Sequence, residues 1–335
     1  MKVVVTGGAG FIGAHLTRAL LARGCEVVVV DDLSSGVRSN LTGLPVKLVM
    51  GSVTDRELME EACVGAGSIV HLAERPSVER SLLDPMATHH VNATGTLTVL
   101  DVAQRSETHA VIVSSSAVYG DRAAAADHGG GGGGGVVEAC AETDPPRPNS
   151  PYAASKLAAE GYALGHRTSF GLPVLVARLF NVYGPYQSVR HAHAAVIPSF
   201  IDAALRGRPL TVHGDGRQTR DFTYVGAVAE LLAEAACRRL THPGPVNLAL
   251  GTRTNLLSLV GHLEVVLGCR LDVEHSAPRA GDIRDSRAST AVMRSLFGGV
   301  EGQELRAGLA ATAHWYRARL HESAGGAARA TVIRR

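Results

Sequence analysis

The sequence predicts an α/β fold: a doubly wound parallel sheet, with a smaller α+β lobe formed mainly by the C-terminal half. Three observations predict it. Short β-branched runs alternate with amphipathic segments of helical length, a glycine-rich turn separates the first run from the first helix, and beyond about residue 180 the pattern breaks into Gly/Pro-rich turns and short helices.

The predicted strands are Lys2–Val5, Glu26–Val30, Lys47–Met50, Ser68–Leu72, Ala110–Ser114 and Val174–Ala177. In the first helix Ile12, Leu16 and Leu20 recur every four residues, and Gly24 stands where a left-handed stop is needed before the next strand. A later helix opens at Ser150-Pro151, a capping residue followed by proline at the first helical position. It carries Tyr152 and Lys156 one turn apart with only small residues between them. The seven consecutive glycines within 121–140 have no side chain to bury, so this stretch is expected to be a mobile surface loop. The expected division is 1–180 for the sheet domain, 181–320 mainly for a second lobe interleaved with it, and 321–335 for a disordered tail.

At 335 residues with 45% hydrophobic and 19% charged, the chain can bury a large core. A formal net charge of +2 from interspersed residues excludes a nucleic-acid surface or a polybasic membrane patch. The five cysteines are scattered, with no CxxC pair, which argues for reduced thiols in a cytoplasmic protein and against a metal site. No apolar run reaches the ~18 residues that span a bilayer, and no basic leader precedes Val3.

Gly7, Gly10 and Gly13 form a GxxGxxG turn between strand and helix. A pyrophosphate needs close approach of backbone N–H groups and a positive helix end, and the last glycine lets helix pack on strand. Asp31 follows Gly13 by eighteen residues, close to the spacing of a carboxylate that takes the hydroxyls of an adenosine ribose. A carboxylate there repels a 2′-phosphate, so NAD is expected rather than NADP. The expected unit is a Rossmann-type dinucleotide domain. Ligands of such sheets lie beyond the carboxyl ends of the strands, where Ser115 follows the Ala110–Ser114 run and Tyr152 is within reach. Serine, tyrosine and lysine over a nicotinamide make a proton-relay set, with tyrosinate taking the proton of a sugar hydroxyl as hydride leaves its carbon. Lys156 and the nicotinamide charge are expected to lower the Tyr152 pKa from ~10.

Together TGGAGFIG, SSSAVYG, SPYAASK and RLFNVYGP resemble an extended short-chain dehydrogenase/reductase, in particular the nucleotide-sugar 4-epimerases, over about residues 1–320. The resemblance implies that Tyr152 is the base, Lys156 its electrostatic partner and ribose ligand, and Ser115 the hydroxyl on the sugar O4. It places Phe11, Ile12, Ser52, Val53, Ala73 and Asn92 on the NAD side. On the substrate side it places Ser116, Asn181, Val196, Arg220, Arg279, Asp282 and Ser286, with Arg220 and Arg279 gripping the diphosphate and Asp282 a ribose. It also implies a homodimer through the helices after Asp84 and Pro151. Two departures stand out: Gly51-Ser52 replaces the family's Gly-Asp, and the polyglycine stretch lengthens the chain between the serine and tyrosine motifs.

Ser116-Ala117 occupies the place of the acidic pair found in related 4,6-dehydratases, which points to simple epimerisation at C4 through a keto intermediate. The resemblance puts the small Ser286 in the wall of the sugar pocket, and HAAVIPSF is similar to a segment of UDP-N-acetylglucosamine 4-epimerases, which implies UDP-N-acetylglucosamine, UDP-glucose or both as substrate. Arg190, His191 and His193 keep UDP-glucuronate as an alternative, and another NDP-sugar oxidoreductase or a silent NAD-binding protein are the other readings. His71 reads as a satisfied strand histidine, and Glu74 has no assigned role.

Overall fold

The computed structural model describes residues 1–121, 138–189, 195–278, 284–298 and 302–332, with side chains to His321. The strands are β1 (Lys2–Thr6), β2 (Glu26–Asp31), β3 (Lys47–Met50), β4 (Ser68–His71), β5 (His109–Ser115), β6 (Val174–Leu179), β7 (Val182–Tyr183), β8 (Leu210–His213), β9 (Thr219–Arg220), β10 (Thr223–Tyr224), β11 (Pro245–Leu248), β12 (Thr254–Asn255) and β13 (Val273–Ser276). The helices are α1 (Phe11–Ala22), α2 (Arg56–Cys63), α3 (Val78–Leu83), α4 (Pro85–His89), α5 (Gly95–Arg105), α6 (Pro151–Phe170), α7 (Val196–Leu205), α8 (Val225–Arg238), α9 (Leu256–Leu267), α10 (Ala291–Phe297) and α11 (Leu305–Val332).

Seven strands form one parallel sheet in the order β11-β6-β5-β4-β1-β2-β3. The order reverses between β1 and β4, and such a switch point is where an open α/β sheet has its crevice. Both faces of the sheet are covered, which explains the unbroken valine runs. Val3, Val5, Val27 and Val29 pack with Leu16 and Leu20 of α1 and Leu231 and Leu232 of α8. Val4, Val28 and Val30 face the other way, onto Met59 of α2, Leu100 and Val102 of α5 and Ala163 of α6.

Each of the six predicted strands is present, and β1, β2, β5 and β6 extend further than expected. The seventh, β11, pairs with β6 although the chain has by then passed through the second lobe, as α8 also does on its way back to the sheet. That lobe has its own core of Phe200, Ile201, Leu210, Val212, Phe222, Leu259, Leu263 and Leu309. The polyglycine stretch lies outside the described residues. α11 continues through Val332, over most of the segment that composition reads as a disordered tail; the alanines on either side of its glycine pair are strong helix formers.

Between α4 and α5 the helix widens at His90–Thr94 into a π-type turn. The buried Asn92 stands at the middle of this turn, and such turns are frequent at functional sites.

Candidate active site

The β1–α1 turn admits glycine alone at two positions. Gly7 has φ of 71°, and a Cβ there would lie 2.8 Å from the Ala73 backbone nitrogen. A Cβ on Gly13 would lie 2.2 Å from the Gly7 carbonyl oxygen. No side chain caps α1 at Gly10, so its first-turn N–H groups, around Phe11 and Ile12, are left for an anion. Asp31 ends β2 beside this turn, its Oδ2 accepting from Ala9 N at 2.9 Å and its Oδ1 from Leu33 N at 2.8 Å. Burial raises its pKa, yet each carboxylate oxygen keeps a lone pair for a ribose hydroxyl. A bare, positively poled helix end beside an anchored carboxylate fits a dinucleotide. Ser52 closes a turn by bonding the Thr54 hydroxyl at 2.8 Å, and Val53 is buried.

Ser115 ends β5, its hydroxyl accepting from Ala117 N at 3.2 Å as the cap of the Ser116–Tyr119 turn. Ser150 caps α6 by accepting from Ala153 N, which starts the helix so that Tyr152 and Lys156 share its inner face. Ser115 stands near enough to the Tyr152 phenol to oppose the rise of its pKa. The structure therefore brings Ser115, Tyr152 and Lys156 together. Lys156 is 6% exposed and donates to the Val113 carbonyl at 2.7 Å.

A fourth group stands among them. Glu74, in the loop after β4, lies 2.8 Å from Lys156 Nζ, and the Tyr152 hydroxyl donates to its two oxygens at 3.2 and 3.4 Å. The expected lowering of the Tyr152 pKa is not what these contacts produce: burial first, then the Glu74 charge, push it well above 10, against a smaller opposing effect of Ser115. The Lys156 charge is neutralised by the carboxylate between them. Sequence reading left Glu74 unassigned because nothing local marks it; its place just past the carboxyl end of a central strand was the available signal.

Asn92 organises this loop. Its Oδ1 accepts from Arg75 N at 2.7 Å, and its Nδ2 donates to Arg75 O at 3.4 Å and to Ser155 Oγ at 3.0 Å. The Ala73 N–H is held by the Thr6 hydroxyl at 3.2 Å. His71 belongs to the same network. Thr96 donates its proton to Asn92 O, so it accepts from His71 Nε2–H at 3.0 Å, leaving Nδ1 to accept from Thr6 at 2.7 Å. The imidazole is a neutral strut, its pKa pushed down to about 3 by burial and by Lys156.

In the second lobe Asn181, Val196 and Arg220 line one cavity of about 760 Å³ with Phe200, Phe222 and Gln218. Ser286 is buried and touches this lining through Asn181, whose Nδ2 donates to its hydroxyl at 3.4 Å. Arg279, Asp282, Arg190, His191 and His193 lie outside the described residues. All five cysteines are free thiols. No helix among the described residues is long and apolar enough to cross a membrane.

Comparison with known proteins agrees with this geometry. UDP-glucose 4-epimerase of Mycolicibacterium smegmatis is 32% identical over 95% of this chain and 99% of its own. UDP-glucuronic acid decarboxylase 1 of Arabidopsis thaliana is 32% identical over 84% of this chain, which spans 62% of that protein. Among solved structures, UDP-N-acetylglucosamine 4-epimerase from Methanobrevibacter ruminantium M1, in complex with UDP-N-acetylmuramic acid, superposes with a TM-score of 0.85 at 31% identity, covering 95% of this chain and 98% of that one. The sequence profile of the NAD dependent epimerase/dehydratase family matches residues 3–249, most of the chain and all of the site on the sheet. The chain belongs to the NAD-dependent epimerase/dehydratase family.

Proposed function

We propose that the protein is a UDP-sugar 4-epimerase that inverts C4 of UDP-N-acetylglucosamine, UDP-glucose or both through a transient 4-keto sugar. The observation that carries this reading is the convergence of Ser115, Tyr152 and Lys156 at the carboxyl end of β5, with Ser116-Ala117 and no carboxylic acid following the serine. Gly7, Gly10, Gly13 and Asp31 hold NAD, which supplies a reversible hydride acceptor for C4.

In this reading Ser115 bonds the sugar O4, and Tyr152 takes the C4 hydroxyl proton and returns it after the sugar has turned. Lys156, one turn along α6 from Tyr152, is fixed by Val113 and Glu74. Arg220 and Asn181 hold the diphosphate at the cavity wall, joined by Arg279 and Asp282, while the sugar is held loosely enough to rotate. The small Ser286 beside Asn181 leaves space for a C2 acetamido group.

A homodimer completes the proposal. Val78, Leu82 and Leu83 on α3, Met86 on α4 and Tyr162 and Phe170 on α6 are exposed, Leu83 to 85% and Met86 to 74%. Large apolar side chains at that exposure on adjoining helices support a second copy packed against α3, α4 and α6.

The function is tested by incubating the purified protein, without added NAD, with UDP-N-acetylglucosamine, UDP-glucose, UDP-glucuronate and their dTDP counterparts, and resolving C4 epimers by NMR. Interconversion of either UDP-hexose supports the proposal. Turnover of UDP-glucuronate alone moves the substrate to the uronate, and loss of carbon dioxide or water from a sugar overturns the epimerase reading.

A further inference from the structure

We propose that Glu74 is a positioning residue of the catalytic cluster: its carboxylate accepts the Tyr152 hydrogen bond and neutralises the Lys156 ammonium, and so sets the pH at which Tyr152 becomes a base. This rests on the reading above of Tyr152 as the base.

The geometry is a closed triangle. Glu74 Oε2 is 2.8 Å from Lys156 Nζ and 3.2 Å from the Tyr152 hydroxyl, with Oε1 at 3.4 Å from the same hydroxyl. The loop that carries Glu74 is clamped on both sides, at Ala73 by Thr6 and at Arg75 by Asn92. It is also held at Ser77, whose φ of 95° is a conformation that non-glycine residues adopt only under constraint. A glutamate on a free surface loop needs none of these restraints.

The remaining charges around the phenol are engaged elsewhere or neutral. His71 of β4 is neutral in its hydrogen-bonded strand position. Arg75 faces Asp84 at 3.6 Å, and Glu160, one turn beyond Lys156 on α6, is paired with Arg178. Glu79 and Arg80 on α3 each have partners, and His89 and His90 are exposed. Ser115 is uncharged. The charge that bears directly on Tyr152 is thus that of Glu74, and the carboxylate's charge and hydrogen bond both favour the protonated phenol.

The test compares wild type, Glu74→Gln and Glu74→Asp, each with NAD added. Tyrosinate absorbance is followed against pH and referred to the same protein carrying Tyr152→Phe, so that only the Tyr152 phenol is read; kcat/KM is measured over the same range. Glu74→Gln is expected to lower the Tyr152 midpoint by about one to two pH units, with the rising limb of kcat/KM moving equally. Glu74→Asp keeps the charge and should stay near wild type. An unchanged midpoint in Glu74→Gln, or equal shifts in both variants, overturns the proposal. A shifted midpoint in a protein that turns over no nucleotide sugar upholds the role of Glu74 and overturns the epimerase reading instead, so the two failures are distinct.

Discussion

Arg178 of β6 and Glu160 of α6 meet in a bidentate ion pair, at 2.9 and 2.7 Å, with side chains only 4% and 3% exposed. The same carboxylate accepts from Ser114, the residue before Ser115, and Arg178 lies over the Tyr119 ring at 4.6 Å. The pair therefore ties the helix that carries Tyr152 to the strand that carries Ser115.

Replacing one member leaves a buried charge without a partner, at a cost of roughly 3–5 kcal/mol. Glu160→Leu is expected to lower stability by that amount in urea unfolding. The double variant Glu160→Leu/Arg178→Met should lose less than the single one, because no orphan charge remains. A single variant as stable as wild type would show that the pair contributes nothing net.

Tyr152→Phe removes the proposed proton acceptor while keeping the ring. Turnover is expected to fall ~100-fold or more, the usual scale of a general base, with UDP binding by calorimetry unchanged. Retention of more than about a tenth of the activity would assign the proton to another group.

Gly13→Ala places a methyl group 2.2 Å from the Gly7 oxygen and 2.6 Å from the Gly8 Cα, both backbone atoms that cannot swing aside. The β1–α1 turn must open, so bound NAD per chain, measured after denaturation, is expected to drop several-fold along with the melting temperature. Full NAD occupancy in this variant would show that the turn is not the nucleotide cradle.

His71 gives stability a defined pH dependence. Its folded pKa of about 3 lies below the ordinary 6.5, so between these values the unfolded chain binds a proton that the folded chain refuses. Its contribution is complete above pH 6.5 and is lost as pH falls toward 3, at about 1.4 kcal/mol per pH unit. Unfolding free energies of wild type and His71→Gln measured over this window should therefore converge as the solution is acidified. Parallel curves would mean that the imidazole takes up its proton equally in the folded and the unfolded chain.

What the sequence alone determined was local: the strand–helix alternation, the glycines whose backbone and packing admit no side chain, the Ser150-Pro151 start of α6 and the i,i+4 placement of Tyr152 and Lys156. Periodicity, capping and φ preferences act over a few residues, so they can be read from a few residues. Only the tertiary structure decided that β11 joins the sheet beside β6, that Asn181 meets Ser286 over 105 positions, and that Glu74 closes on Tyr152 over 78. These contacts follow from how packed layers bring distant loops together at the carboxyl edge of the sheet, and no local signal encodes them. For that reason the tyrosine proposed as the base was legible, and the carboxylate that opposes its ionisation was not.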